Sequence, residues 1–243
     1  MSESSSPLHN RVALVTGASS GIGAATARAL DAAGMKLVLT ARREDRLNGL
    51  AAELSGPAVL AGDILDATMP DRLVARALEA FGRFDVLVNN AGIMTTGEVD
   101  DVDVDKTCLM IRVNVEAAVR MAYAAARHFK KQNAGQIVNV SSVLGIKTRP
   151  GAGPYAGTKH AIEAFSESLR MELARTGVKV MVIEPGLTET ELFAERDVHP
   201  AKRLNIQKPL APEDIARCIR FMLEQPPHVR IPQMLVIPTE HEM

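Results

Sequence analysis

The chain has 243 residues, 47% of them hydrophobic, enough for one sizeable core, and its 28 Lys and Arg against 29 Asp and Glu give a formal charge of -1. That balance offers no long-range field to nucleic acid or an anionic membrane, and no apolar run approaches bilayer length. The expectation is small-molecule chemistry in the cytoplasm, with neither a nucleic-acid nor a membrane partner, because the polar, Ser-rich residues 1–10 also lack the apolar stretch of a signal peptide.

Apolar, β-branched runs at 12–16, 37–40, 58–60, 86–88, 137–140, 178–183 and 234–237 alternate with longer segments of helical spacing. The runs are continuous rather than alternately polar, which predicts seven strands of a parallel sheet covered by helices on both faces. A doubly wound α/β fold follows, as one catalytic domain over residues 11–243 after a polar tail of residues 1–10.

Behind the first strand stands Thr16-Gly17-Ala18-Ser19-Ser20-Gly21-Ile22-Gly23, and a helical run begins at once. Glycines there allow a tight turn and close backbone approach to a pyrophosphate, while the helix N-terminus presents free N–H groups and a positive dipole end. The second strand ends Thr40-Ala41-Arg42-Arg43. A carboxylate at that place selects the ribose 2′-hydroxyl of NAD, whereas an Arg clamps the 2′-phosphate of NADP through charge-assisted, bidentate bonds. Arg42 and Arg43 fit the second case, or they solvate a loop. Ser19 and Ser20 bring no charge of their own to the glycine turn.

Asp63 and Ile64 follow the third strand, and Asn89-Asn90-Ala91-Gly92 follows the fourth. Over 113–129 the pattern is apolar nearly all round (Val115, Ala118, Val119, Met121, Ala122, Ala125), so this helix is expected to bury a second face in a homo-oligomer, a dimer or tetramer. Cys108 and Cys218 have no disulfide or metal-site spacing and are expected as buried thiols. Ser142 ends the fifth strand, and Tyr155 and Lys159 open the helix whose stripe runs Ile162, Phe165, Leu169, Leu173.

Reducing a carbonyl with a nicotinamide needs a proton donor within hydrogen-bond reach of the oxygen. A phenol titrates near ~10, so exchanging its proton near neutrality asks for roughly 3 units, about 4 kcal/mol. Lys159 projects from the same helix face as Tyr155, at i+4, and a cation about 4 Å away supplies ~4 kcal/mol at an effective dielectric near 20. His160 points away from that face and is expected to be structural.

The Thr-Gly-x3-Gly-x-Gly turn, Asn89-Asn90-Ala91-Gly92, Asn114, Ser142, Tyr155-x3-Lys159 and Pro185-Gly186 with Thr188 and Thr190 together resemble the short-chain dehydrogenase/reductase family, from about Arg11 to Thr239. The resemblance implies a Rossmann fold and NADP(H) as cofactor. It implies further that Tyr155 is general acid/base, that Lys159 holds the nicotinamide ribose, that Ser142 orients the carbonyl, and that Asn114 anchors a proton-relaying water chain.

On the cofactor side the resemblance implies a cradle of Gly17, Ser19, Ser20, Gly21, Ile22 and Gly23, with Asp63 and Ile64 about the adenine. Asn90, with Ala91 and Gly92, would meet the adenosine ribose, and Pro185, Gly186, Leu187, Thr188 and Thr190 the carboxamide and pyrophosphate. Asp63 serves equally as a strand-end cap.

Substrate specificity is expected in loops 143–154 and 186–209. Lys147 and Arg149 offer an anion partner or solvate their loop, and Met94, Leu144 and Ile146 offer an apolar wall. The closing segment, Pro212-Glu213-Asp214 and then residues 227–239, resembles the subgroup of serine, 3-hydroxy acid and clavulanate-type dehydrogenases, which brings small hydroxy acids and aldehydes into view. Three alternatives remain: the same chemistry with NAD(H), a non-catalytic NADP-binding regulator, and a halohydrin-type reaction without net hydride transfer. The intact glycine turn and catalytic set weigh against the last two.

Overall fold

In the computed structural model, which describes residues 6–193 and 200–242, the seven apolar runs become seven strands of one sheet. These are β1 (Val12–Thr16), β2 (Lys36–Thr40), β3 (Ala58–Val59), β4 (Val86–Asn89), β5 (Gly135–Val140), β6 (Val178–Pro185) and β7 (Gln233–Val236). Every pairing is parallel and the spatial order is β3-β2-β1-β4-β5-β6-β7. The order reverses between β3 and β4, so the carboxyl ends of β1 and β4 flank a crevice, the usual ligand position in such sheets.

Strands β1, β4, β5 and β6 are buried on both faces, which is why they read as continuous runs, while the edge strand β7 is partly exposed. Ala13, Val15, Leu37 and Leu39 face one layer with α1 (Gly21–Asp31), α2 (Glu44–Glu53) and the C-terminal helix Pro212–Leu223. Val12, Leu14, Val38 and Leu87 face the other, with α3 (Met69–Phe81), the helix Ala118–Gln132 and the helix Gly153–Glu172. In chain order, α4 (Val104–Ile111) leads through a π-turn (Arg112–Ala117) into α5 (Ala118–Gln132); then come α6 (Gly153–Glu172), the short α7 (Pro200–Arg203) and α8 (Pro212–Leu223).

Three details depart from the sequence reading. Leu8, assigned to the polar tail, is fully buried in the first layer, so packing begins before residue 10. The segment 113–129 is not one helix apolar all round: the π-turn interrupts it, and Arg120, Tyr123 and Arg127 stand exposed on its outer face. Cys108 is exposed and Cys218 half-buried, because Cys108 falls on the outer side of α4. The expected substrate loop 186–209 carries a short 3-10 turn (Glu191–Phe193) and α7, while residues 194–199 lie outside the described ones. Among the described residues no helix is long and apolar enough to cross a membrane.

Candidate active site

A cleft of about 1510 Å³ opens at the carboxyl ends of the strands and is floored by the glycine turn. Gly17 and Gly21 have φ of 65° and 53°, in the left-handed region that favours glycine. A Cβ on Gly17 would stand 2.9 Å from Ala91 Cα, and one on Gly23 would stand 2.3 Å from the Gly17 carbonyl oxygen. Gly23 therefore lies behind the cleft wall and lets α1 close against the turn. Thr16, fully buried, accepts through Oγ1 from the N–H groups of Asn90 and Ala91, both at 2.9 Å. Asn90 returns a bond from Nδ2 to the Thr16 carbonyl at 2.9 Å, so the β4 loop and the glycine turn are one unit. The N-cap Ser20 makes no side-chain capping bond, and Ser20, Gly21 and Ile22 line the cleft with first-turn N–H groups available to an anion.

At one end of the cleft the charge is basic. Arg43, at the N-cap of α2, donates from Nη2 to Ser19 Oγ at 3.0 Å and to Ser20 Oγ at 2.7 Å. The basic group that the glycine turn lacks is thus brought to it by Arg43. Arg43 also pairs through Nη1 with Glu191 at 2.7 Å, and Arg46 pairs with the other oxygen of the same carboxylate. Arg42 lines the cleft as an exposed side chain. Asp63 lines it too, with Oδ1 accepting from the Leu65 N–H at 2.9 Å in the turn after β3, beside Ile64.

At the other end α6 carries the reactive groups. Pro154 stands in its first turn, and Tyr155, Ala156, Thr158, Lys159, Ile162, Ser166 and Leu169 form its buried stripe. Tyr155 is 6% and Lys159 7% exposed, and both line the cleft. Lys159 Nζ lies 5.8 Å from the centroid of the Tyr155 ring and donates to the Val140 carbonyl at 2.9 Å. Burial pushes its pKa down to about 8, against a smaller upward pull from Glu163. Ser142 caps the 3-10 turn Val143–Gly145 by accepting from the Leu144 N–H at 3.1 Å, which leaves its hydroxyl proton free to donate into the cleft.

Asn114 is 2% exposed within the π-turn, off the cleft wall. Its Oδ1 accepts from the Ile93 N–H at 2.9 Å, and its Nδ2 donates to the Ile93 carbonyl at 2.9 Å and to Thr158 Oγ1 at 3.3 Å. Thr158 in turn donates to the Tyr155 carbonyl at 2.7 Å. The Asn114 amide thus ties the β4 loop to the first turn of α6. Below it, Asn89 donates to Asn139 Oδ1 at 3.0 Å and Asn139 to Ser166 Oγ at 2.8 Å, a buried chain that fixes α6 on the sheet. His160 Nδ1 lies 2.9 Å from the Ala156 carbonyl, away from the cleft.

Pro185, Gly186, Leu187, Thr188 and Thr190 also line the cleft. Thr190 packs on the glycine turn: a Cβ on Gly21 would stand 3.1 Å from its Cγ2. Ala91, Gly92, Met94, Leu144, Lys147 and Arg149 reach the cleft as well, whereas Ile146 lies outside it, 40% exposed. Sequence reasoning did not single out Arg46, Glu191 or the C-terminal His241, which lines the cleft beside Gly186. Only Arg46 left a signal, since three residues after Arg43 it shares the same helix face.

Behind Lys159, Glu163 stands one further turn along α6 and meets Glu184 of β6. Gln233 Nε2 reaches Glu163 Oε2 at 3.3 Å and Glu184 Oε1 at 3.4 Å. Burial, then the charge and hydrogen bond of Glu163, push the Glu184 carboxyl up to about 7. Among the described residues no cluster of His, Cys, Asp and Glu suited to a metal ion is found.

Residues 11–200 match the model of the short chain dehydrogenase family. An uncharacterized oxidoreductase of Staphylococcus epidermidis is 37% identical over 229 residues, 94% of this chain and 97% of that one. Another, of Staphylococcus aureus, is 36% identical over 233 residues, 95% and 98% of the two chains. Among solved structures, the closed form of a serine dehydrogenase complexed with NADP+ superposes with a TM-score of 0.89 at 30% identity, covering 96% of each chain. An alcohol dehydrogenase from the archaeon Thermococcus sibiricus, complexed with 5-hydroxy-NADP, gives 0.84 at 29% identity over 97% of this chain and 99% of that one. With the fold, the glycine turn and the family match in agreement, this chain belongs to the short-chain dehydrogenases, a family of oxidoreductases.

Proposed function

We propose that the chain is an NADP(H)-dependent oxidoreductase that interconverts a small carbonyl compound and its secondary alcohol, with Tyr155 as general acid/base. The observation that carries this reading is the pairing of Tyr155 with Lys159, both buried on one helix face at the inner end of the cleft. The donor set fits a phosphorylated dinucleotide along the rest of its length. Two guanidinium groups and two serine hydroxyls gather at one end, and an open helix N-terminus and a turn with no room for side chains lie next to them.

The nicotinamide, when bound, supplies or accepts the hydride. The protein's part is to handle the proton and hold the geometry. Ser142 donates its free hydroxyl proton to the substrate oxygen, and Tyr155 delivers the proton that oxygen gains on reduction. Lys159, positive at neutral pH and fixed by the Val140 carbonyl, stabilises the phenolate left behind. Asn114 keeps the first turn of α6 in place through Thr158, so the phenol is positioned by the β4 loop as well as by its own helix. In alcohol oxidation the same groups run in reverse, with Tyr155 as base. The serine dehydrogenase and alcohol dehydrogenase likenesses support a small hydroxylated substrate, and Lys147 and Arg149 on the cleft wall suit one bearing a carboxylate.

The test is to follow nicotinamide absorbance with NADPH, then NADH, across hydroxy acids, aldehydes and cyclic ketones. Turnover is expected with NADPH favoured, and Tyr155→Phe should cut kcat by about 10²- to 10⁴-fold. A Tyr155→Phe variant as fast as the parent would overturn the acid assignment.

A further inference from the structure

We propose that Glu191 is an internal anion standing in the 2′-phosphate subsite, so that NADP(H) must displace its carboxylate from Arg43 and Arg46, and that this competition limits the preference for NADP(H) over NAD(H). The inference rests on the reading of the cleft as a dinucleotide site.

Three observations lead to it. First, Arg43 and Arg46 approach one another at the start of α2, and the carboxylate that lies between them comes from a segment 148 residues further along the chain than Arg43. Two guanidinium groups converging on one point make an anion site, and Arg43 is already oriented by Ser19 and Ser20 of the glycine turn. Second, Glu191 is delivered there by the fold. The preceding Thr190 packs against Gly21, so the backbone that carries the carboxylate is fixed by the turn that would hold the pyrophosphate. Third, the contacts are exchangeable: the side chains of Arg43, Arg46 and Glu191 are 41%, 44% and 48% exposed, where an ion pair is weak and open to replacement.

A 2′-phosphate brings a charge near −2 and three acceptor oxygens to guanidinium groups that a carboxylate serves with two. It therefore displaces Glu191, and the ion pairs broken in doing so are subtracted from its own binding. The 2′-hydroxyl of NAD carries no charge and needs no displacement. Glu191 thus disfavours the phosphorylated cofactor while leaving the other untouched.

The experiment titrates NADPH and NADH into the parent and into Glu191→Gln by calorimetry at fixed ionic strength. NADPH should bind about five- to tenfold tighter to Glu191→Gln, with NADH changed by less than about twofold. In an Arg43→Ala/Arg46→Ala background the same substitution should leave the NADPH affinity where it was, because its effect travels through the two arginines. An unchanged or lowered NADPH-to-NADH preference in Glu191→Gln, or a gain that persists without the arginines, would overturn the inference while leaving the dinucleotide site standing. A parent that binds neither dinucleotide would overturn the reading of the cleft itself.

Discussion

Lys159 holds a charge in surroundings that oppose it. At 7% exposure its ammonium has lost most of its water, and among the described residues the Val140 carbonyl and the Glu163 carboxylate favour the charged form. Burial prevails and brings its pKa to about 8. The phenol of Tyr155 is assisted only while that ammonium is present, so kcat/KM for carbonyl reduction should fall as pH rises through about 8. Because Glu163 pulls the Lys159 value upward, Glu163→Gln should move the fall to lower pH without abolishing turnover. A pH–rate profile of the two proteins decides the matter: an identical descending limb in both would exclude Glu163 as a partner of the ammonium. The sequence made Tyr155 and Lys159 readable because a helix repeat puts i and i+4 on one face. It could not reveal Glu163 and Glu184 as a pair, since one lies on α6 and the other on β6, and only the packing of helix on sheet brings them together.

At the scale of elements, the β1–α1 unit shows how a turn is specified by what it excludes. The strand is buried at every position, the turn reverses through two left-handed glycines, and the helix starts so close behind that Gly23 faces a backbone oxygen. The atom a Cβ would meet at 2.3 Å belongs to the main chain of Gly17 and cannot rotate away. Gly23→Ala should therefore cost roughly 2 to 3 kcal/mol and push the turn out of shape. Thermal melting should show the loss, and NADPH binding should weaken with it; a variant as stable as the parent would mean that α1 slides along the sheet at little cost. The strands were legible because a strand covered on both sides needs apolar residues at every position. The π-turn at Arg112–Ala117 was not, since inserting one residue into a helical turn leaves the apolar pattern of 113–129 almost unbroken. The bend places Asn114 inward, against Ile93 and Thr158, and turns Arg120, Tyr123 and Arg127 outward.

Across the whole molecule, one buried acid should leave a signature in global stability. Glu184 is 3% exposed on β6, flanked by Glu163 from α6 and by Gln233 from the edge strand β7. Its carboxyl is raised from an ordinary 4.5 to about 7, first by burial and then by Glu163. The folded chain therefore holds this proton more tightly than the unfolded one. Its contribution is complete below the unfolded value and is lost as pH rises through the folded one, up to about 3 kcal/mol in all. The melting temperature of the parent should fall by roughly 5 °C between about pH 5 and pH 8. Carboxylates such as Asp85, held low by Arg83 and the Val12 N–H, act in the opposite direction, but only at more acidic pH. Glu184→Gln replaces the acid with a side chain that is neutral throughout, so this fall should be absent and its melting temperature should exceed that of the parent at pH 8. Differential scanning calorimetry at three pH values is sufficient. If both proteins melt with the same pH dependence, Glu184 shares its charge with water rather than with Glu163, and the buried pair behind Lys159 does not exist in solution.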